Sequence, residues 1–182
     1  QGQQRHDPSH PERGLEPDPV VGLGVIDRIH VGPDQCEGHD AGRGVLGEAG
    51  DMSGEAASRA SLALPGAQQG LLEVVHGTGT PVVLVLMSGR PLAVEWAADH
   101  VPAIVQAWFL GLETGPALAD VLFGDVSPSG KLPVTIPRSV GQLPVYYNRR
   151  PTSHRAYLDI AREPLWTFGH GLSYTTFALG KP

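Results

Sequence analysis

The feature that most constrains this chain is a run of six apolar residues, Val82-Val83-Leu84-Val85-Leu86-Met87, entered through Pro81 and left through Ser88-Gly89-Arg90-Pro91. Its β-branched residues favour a strand over a helix. Because polar residues do not alternate with apolar ones, both faces of that strand must be buried. A strand buried on both faces belongs in a mostly parallel sheet covered by helices on each side. The run is also far short of the roughly 20 apolar residues that cross a bilayer.

The flanking pattern supplies the rest of such a fold. Pro65 to His76 reads as a helix, with Pro65 at an early position where its missing N–H costs little. Leu71, Leu72 and Val75 are expected on one face, and Gly77 and Gly79 stop the helix. Pro91 to Trp96 alternates and reads as an edge or surface strand. Ala103 to Phe109 is a second buried strand. Glu113 to Phe123 reads as a short helix turning Leu118, Val121 and Leu122 inward, followed by a turn over 124–130. Leu132 to Pro137 is bracketed by prolines and is therefore an edge strand or extended segment. Strand–helix–strand alternation predicts an α/β fold: a three-layer α/β sandwich with a mostly parallel central sheet, incomplete at its N-terminal side.

Residues 1–44 do not share this pattern. They hold five prolines and no aromatic residue, and only Pro19 to Ile26 offers a strand, interrupted by Gly22 and Gly24. So little apolar periodicity cannot offset the entropy of ordering the backbone. The chain divides accordingly into 1–44, atypical and poorly ordered, and 45–182, the sandwich. Arginine dominates the cations, with Lys131 and Lys181 the only lysines, a bias typical of GC-rich coding DNA. Two readings of 1–44 stay open: a genuine linker, or translation of such DNA in a shifted frame.

Several function classes are excluded by composition. The formal net charge is −6, which argues against a nucleic-acid-binding stripe and against a polybasic membrane anchor. The single cysteine, Cys36, excludes an internal disulfide framework and a multi-cysteine metal site. His30, Cys36 and His39 are three potential ligands, but in a segment without a core they read as chance. The first residues carry no apolar core of a signal peptide, and there is no initiator Met, so targeting information is expected elsewhere and the compartment stays open, a periplasmic or secreted parent included. Gly77-Thr78-Gly79-Thr80 and Gly169-His170-Gly171 do not join a strand directly to a helix as phosphate loops do, and read as turns. Ser88-Gly89-Arg90 lacks the preceding glycine of a nucleophile elbow. Trp166, Phe168 and Tyr174 are either a sugar-stacking platform or core, and core packing is favoured.

Three blocks, in order across about three-quarters of the chain, carry a family resemblance. The first is Leu46-Gly47-Glu48, then Met52-Ser53-Gly54-Glu55-Ala56-Ala57-Ser58-Arg59, running into Leu64-Pro65-Gly66-Ala67-Gln68-Gln69. The second is Pro81 to Leu92 leading to Ala107-Trp108-Phe109. The third is Ala119 to Pro133, closed by Phe168-Gly169-His170-Gly171-Leu172-Ser173-Tyr174-Thr175-Thr176-Phe177. Together they resemble the C-terminal α/β-sandwich domain of glycoside hydrolase family 3, in its bacterial β-glucosidase form. The chain departs from that pattern at Leu110, Thr114, Pro116 and His170, none of them in the Glu55 block.

What the resemblance implies is a retaining, exo-acting β-glycosidase that removes terminal β-linked glucose, or xylose, from oligosaccharides or aryl glycosides without metal or organic cofactor. Such hydrolysis takes two carboxyl groups, a nucleophile and an acid/base. By the resemblance, the nucleophile sits on a (β/α)8 barrel that this chain lacks, so the chain reads as a truncated polypeptide. The acid/base corresponds to Glu55, on a Ser- and Gly-containing loop suited to projecting a carboxyl into a sugar-filled pocket. Glu48 is its rival, or the residue that holds the loop. Arg59 is supporting, either orienting Glu55 or anchoring the loop through backbone carbonyls. From another class, a stand-alone α/β carbohydrate-binding or interaction module without catalysis stays open.

Overall fold

A computed structural model of the chain describes residues 42–148, 157–176, 178 and 180. The readings of residues 1–41, including the linker alternatives, Pro19 to Ile26 and the His30, Cys36, His39 group, lie outside these described residues. Three strands form one parallel sheet in the order β1 (Gly42–Gly47), β2 (Val82–Met87), β3 (Ala103–Gln106). Register runs from Gly42 opposite Val82 to Gly47 opposite Met87, and from Val83 opposite Ala103 to Leu86 opposite Gln106. All three carboxyl ends therefore lie along one edge. Parallel neighbours need crossovers, and these are α1 (Gln68–Gly77) between β1 and β2 and α2 (Glu95–His100) between β2 and β3. The third α-helix, α3 (Thr114–Phe123), follows β3.

The central run is buried on both faces, as its composition demands. Leu84 and Leu86 join Leu46 and Ile104 on one face, packed with Leu72 of α1 and Ala97 of α2. Val85 and Met87 join Val105 and Ala107 on the other, packed with Ala117, Leu118, Val121 and Leu122 of α3. Helices on both sides of a parallel sheet make the α/β sandwich expected from the sequence. The last residue of α3 reaches β1, where the Arg43 guanidinium lies 4.8 Å from the centre of the Phe123 ring. Among the described residues, no helix is long and apolar enough to cross a membrane.

Three local expectations are corrected. Pro91 to Trp96 is not a strand. Pro91 to Val94 forms no regular element, burying Leu92 and Val94 in the core, and the chain then turns into α2. Apolar alternation reported burial correctly there, but among the described residues no strand pairs with it. On α1, Leu72 is buried whereas Leu71 is 55 % exposed. The inward face instead runs through Gln68, Leu72 and Val75, because Gln68 is held by β1. The third concerns β3, which stops at Gln106 rather than Phe109, since Trp108 takes a left-handed φ of 55° that no strand continues.

The loop-rich C-terminal part closes the α1/α2 side. Leu132 to Ile136 runs against Leu165 to His170 through backbone bonds between Ile136 and Trp166 and between Leu132 and both Gly169 and His170. Leu132, Ile136 and Trp166 enter the core. Core packing thus holds for Trp166, while Phe168 and Tyr174 are exposed and Phe168 leans on Tyr147 at 5.1 Å between ring centres.

Candidate active site

In open α/β sheets, ligand chemistry gathers beyond the carboxyl ends of the strands. Here that edge is organised around one buried carboxylate. β1 ends at Gly47, whose φ is 150° and whose Cβ, if present, would stand 1.8 Å from the Met87 carbonyl oxygen. Only glycine lets β1 end so close against β2. The Gln68 side chain grips Gly47 from both sides, accepting its N–H at 2.8 Å and donating to its carbonyl at 2.9 Å. The next residue, Glu48, donates its backbone N–H to Met87 at 2.7 Å and turns its side chain inward, fully buried.

Three donors meet that carboxylate. The Ser53 hydroxyl donates to Oε2 at 2.5 Å, and Arg59 Nη1 donates to Oε1 at 2.8 Å. Arg90 Nε stands 3.0 Å from Oε1 and 3.2 Å from Oε2. Burial works to raise the Glu48 carboxyl, but the hydrogen bonds from Ser53 and Arg59, and the charge and hydrogen bond of Arg90, outweigh it and hold the carboxyl below its ordinary value. Each arginine also reaches backbone. Arg59 Nη2 donates to the Ala63 carbonyl at 3.0 Å. Arg90 Nη2 donates to the carbonyls of Met52 and, at 2.7 Å, Ala57.

Between Met52 and Ala57 lies Glu55. Ala57 donates its N–H to the Gly54 carbonyl at 3.1 Å, closing a four-residue turn with Glu55 second and Ala56 third. Ala56 has a φ of 65°, the positive value that type II turns require at that place and that glycine ordinarily supplies. Glu55 is exposed, and among the described residues no side chain pairs with its carboxylate. Gly89 completes the seam between this loop and the end of β2: it donates its N–H to Ser53 Oγ at 3.2 Å, and a Cβ there would stand 2.7 Å from Ser53 Cβ.

The structure therefore brings Glu48 and Arg59 together and leaves Glu55 apart from both. Arg59 bonds Glu48 and a backbone carbonyl rather than Glu55. Sequence reasoning missed Arg90, which touches Glu48 and both flanks of the Glu55 turn. The signal for it is the stretch Ser88-Gly89-Arg90-Pro91, which sets an arginine just beyond the carboxyl end of the buried strand. Among the described residues, no group of three or more His, Cys, Asp or Glu is placed to hold a metal ion.

A parallel sheet with helices on both faces, and an acidic loop pinned to its carboxyl edge, defines an α/β domain with an exposed carboxyl group on that edge. The chain belongs to the glycosyl hydrolase family 3 C-terminal domain family, whose pattern matches residues 31–174. It is 43 % identical over 179 residues to a periplasmic β-glucosidase of Salmonella typhimurium, covering 92 % of this chain and 23 % of that protein. A β-xylosidase of Formosa agariphila is 45 % identical over 142 residues, covering 76 % of this chain and 20 % of that one. Among solved structures, a β-glucosidase from Listeria innocua superposes with a TM-score of 0.70 at 40 % identity, covering 78 % of this chain and 21 % of its own. One from Erythrobacter marinus gives 0.71 at 45 % identity, covering 75 % and 19 %. The chain thus spans less than a quarter of the length of these relatives.

Proposed function

We propose that this chain contributes the acid/base loop of a retaining β-glycosidase acting on terminal β-linked glucose or xylose, with residues 45–182 as the contributing domain. The nucleophile would come from a (β/α)8 barrel, a unit of about 250 residues that these 182 residues do not contain. Glu55 is the acid/base. Docked about 5–5.5 Å from the nucleophile, it donates its proton to the glycosidic oxygen as the C1–O bond breaks and the nucleophile bonds to C1. As a carboxylate it then takes a proton from the water that displaces the nucleophile. Glu48 does not fit that role: a buried carboxylate held ionised by two guanidinium groups has no proton to lend at neutral pH. Glu48 and Arg59 instead hold the loop.

The observation that carries this reading is the exposed Glu55 carboxyl, without a side-chain partner among the described residues, on a closed turn at the carboxyl edge of the sheet. The test joins the full chain to the remainder of the Listeria innocua β-glucosidase, in place of the domain it resembles. Glu55→Gln should slow hydrolysis of cellobiose, whose leaving group needs a proton, by about 10²–10⁴-fold. It should slow first-step attack on dinitrophenyl β-glucoside, whose leaving group departs unaided, far less. Equal losses on both, or none, would reject Glu55 as the acid. The chain by itself should hydrolyse neither substrate, and turnover by the isolated chain that Glu55→Gln abolishes would overturn the division of labour between domain and barrel.

A further inference from the structure

The Glu55 turn has few ties of its own. One backbone bond closes it, its third residue sits in a conformation disfavoured for alanine, and Glu55 itself is exposed. A turn of that kind opens readily, yet a general acid must meet the leaving oxygen within hydrogen-bond reach. Something outside the turn has to hold it, and among the described residues Arg90 is the side chain that reaches both of its flanks. The Arg90 guanidinium donates to the carbonyls of Met52 and Ala57, one on each side of Glu55, while its Nε is held by the buried Glu48 carboxylate. Arg90 itself stands three residues after Met87, the last residue of the central strand. Its backbone is fixed there by the Ser88 hydroxyl, which donates to the Arg90 carbonyl at 2.7 Å and accepts from Gln106 of β3 at 3.4 Å.

From this geometry we propose that Arg90 is a positioning residue for the acid/base: it clasps both flanks of the Glu55 turn and ties them to the core strand of the sheet. The inference rests on the reading of Glu55 as the acid/base, and it adds a residue 35 positions away in sequence. The rigid fork is what the task needs. A guanidinium donates to two carbonyls and a carboxylate at once in fixed directions, and a lysine ammonium carries the same charge without that planar fork.

The first test uses the full chain as it stands and requires no catalysis. A glutamate-specific protease cuts after Glu55 only when the turn opens, and after Glu113, at the start of α3, only when that second loop opens. Arg90→Lys, which keeps the charge, should raise cleavage after Glu55 by about tenfold, since such cleavage tracks the open population, and leave cleavage after Glu113 unchanged. Arg90→Ala should do the same, with millimolar guanidinium restoring protection. Parallel increases at both glutamates would mean a merely structural arginine, and unchanged cleavage after Glu55 would mean that the clasp holds nothing; either result overturns the proposal.

The second test uses the barrel-joined enzyme. Arg90→Lys should lower kcat on cellobiose far more than on dinitrophenyl β-glucoside, with little change in KM. If Glu55→Gln shows that split and Arg90→Lys lowers both substrates alike, the positioning role fails and the Glu55 reading stands. If Glu55→Gln shows no split, the acid assignment fails, and the proteolysis result alone decides whether Arg90 holds the turn.

Discussion

Replacing Glu48 by glutamine isolates the charge at the centre of the site, because the shape is kept and only the negative charge is lost. The wild-type carboxylate is fully buried and faces Arg59, Arg90 and the Ser53 hydroxyl. Breaking a buried pair by removing one partner typically costs about 3–5 kcal/mol, since the remaining charge loses its compensation. Here two guanidinium groups are left facing a neutral amide, and one end of that amide is itself a donor. Each arginine side chain is 21 % exposed, so water recovers part of the loss, and the expected cost is about 2–4 kcal/mol. With a urea m-value of about 2 kcal/mol/M, the midpoint should fall by about 1–2 M, read from tryptophan fluorescence of the purified chain.

The pH dependence supplies a second check on the same substitution. The Glu48 pKa is lower in the folded chain than its ordinary 4.5, so below 4.5 the unfolded chain binds a proton that the folded one still refuses. Stability contributed by Glu48 is therefore fully present above 4.5 and is lost as pH falls through the depressed folded value. The gap between wild type and Glu48→Gln should be full at neutral pH and close progressively in acid. A midpoint at neutral pH unchanged to within about 0.5 kcal/mol, or a gap that persists undiminished well below 4.5, would refute the electrostatic account of this cluster.

Other outcomes follow from the packing. Gly89→Ala places a Cβ 2.7 Å from Ser53 Cβ and 3.0 Å from Phe109 Cε2; the loop must shift, at a cost of about 1–3 kcal/mol, visible as a lower urea midpoint together with faster proteolysis at Glu55. Leu84→Ala, in a strand position with no exposure, should cost about 2–5 kcal/mol in the same titration. Glu55→Gln is the counterpart control: it removes an exposed carboxylate that no described side chain pairs with, and stability should stay within about 0.5 kcal/mol of wild type.

Much of the scaffold was legible because its signals are local. An unalternating β-branched run can satisfy both faces only inside a covered sheet, so Val82–Met87 announced β2 and its helical layers on sequence alone. α3 was equally plain from Leu118, Val121 and Leu122 at helical spacing and from Gly124, which ends the helix at a φ of 84°. The three motif blocks also placed the chain in its family, and the Glu55 loop was singled out from the first of them. What local pattern misjudged were segments whose burial is set by distant partners. Leu92 and Val94 are buried with no strand paired to them among the described residues, and Leu71 yields the inward face of α1 to Gln68, whose amide is taken by Gly47.

The arrangement of the site belongs to tertiary structure alone. Glu48, Arg59 and Arg90 are 11 and 42 residues apart in the pairs they make, beyond any helical or strand period. Their convergence arises only when β1 and β2 align in parallel register, with Gly47 opposite Met87, so that the two loops leave the same edge side by side. Sequence determined which residue types stand in those loops and which strands must be buried. Whether a given glutamate ends up as a buried anchor, like Glu48, or an exposed carboxyl on a clasped turn, like Glu55, was decided by the fold, because burial and charge pairing are properties of the neighbours that packing brings together.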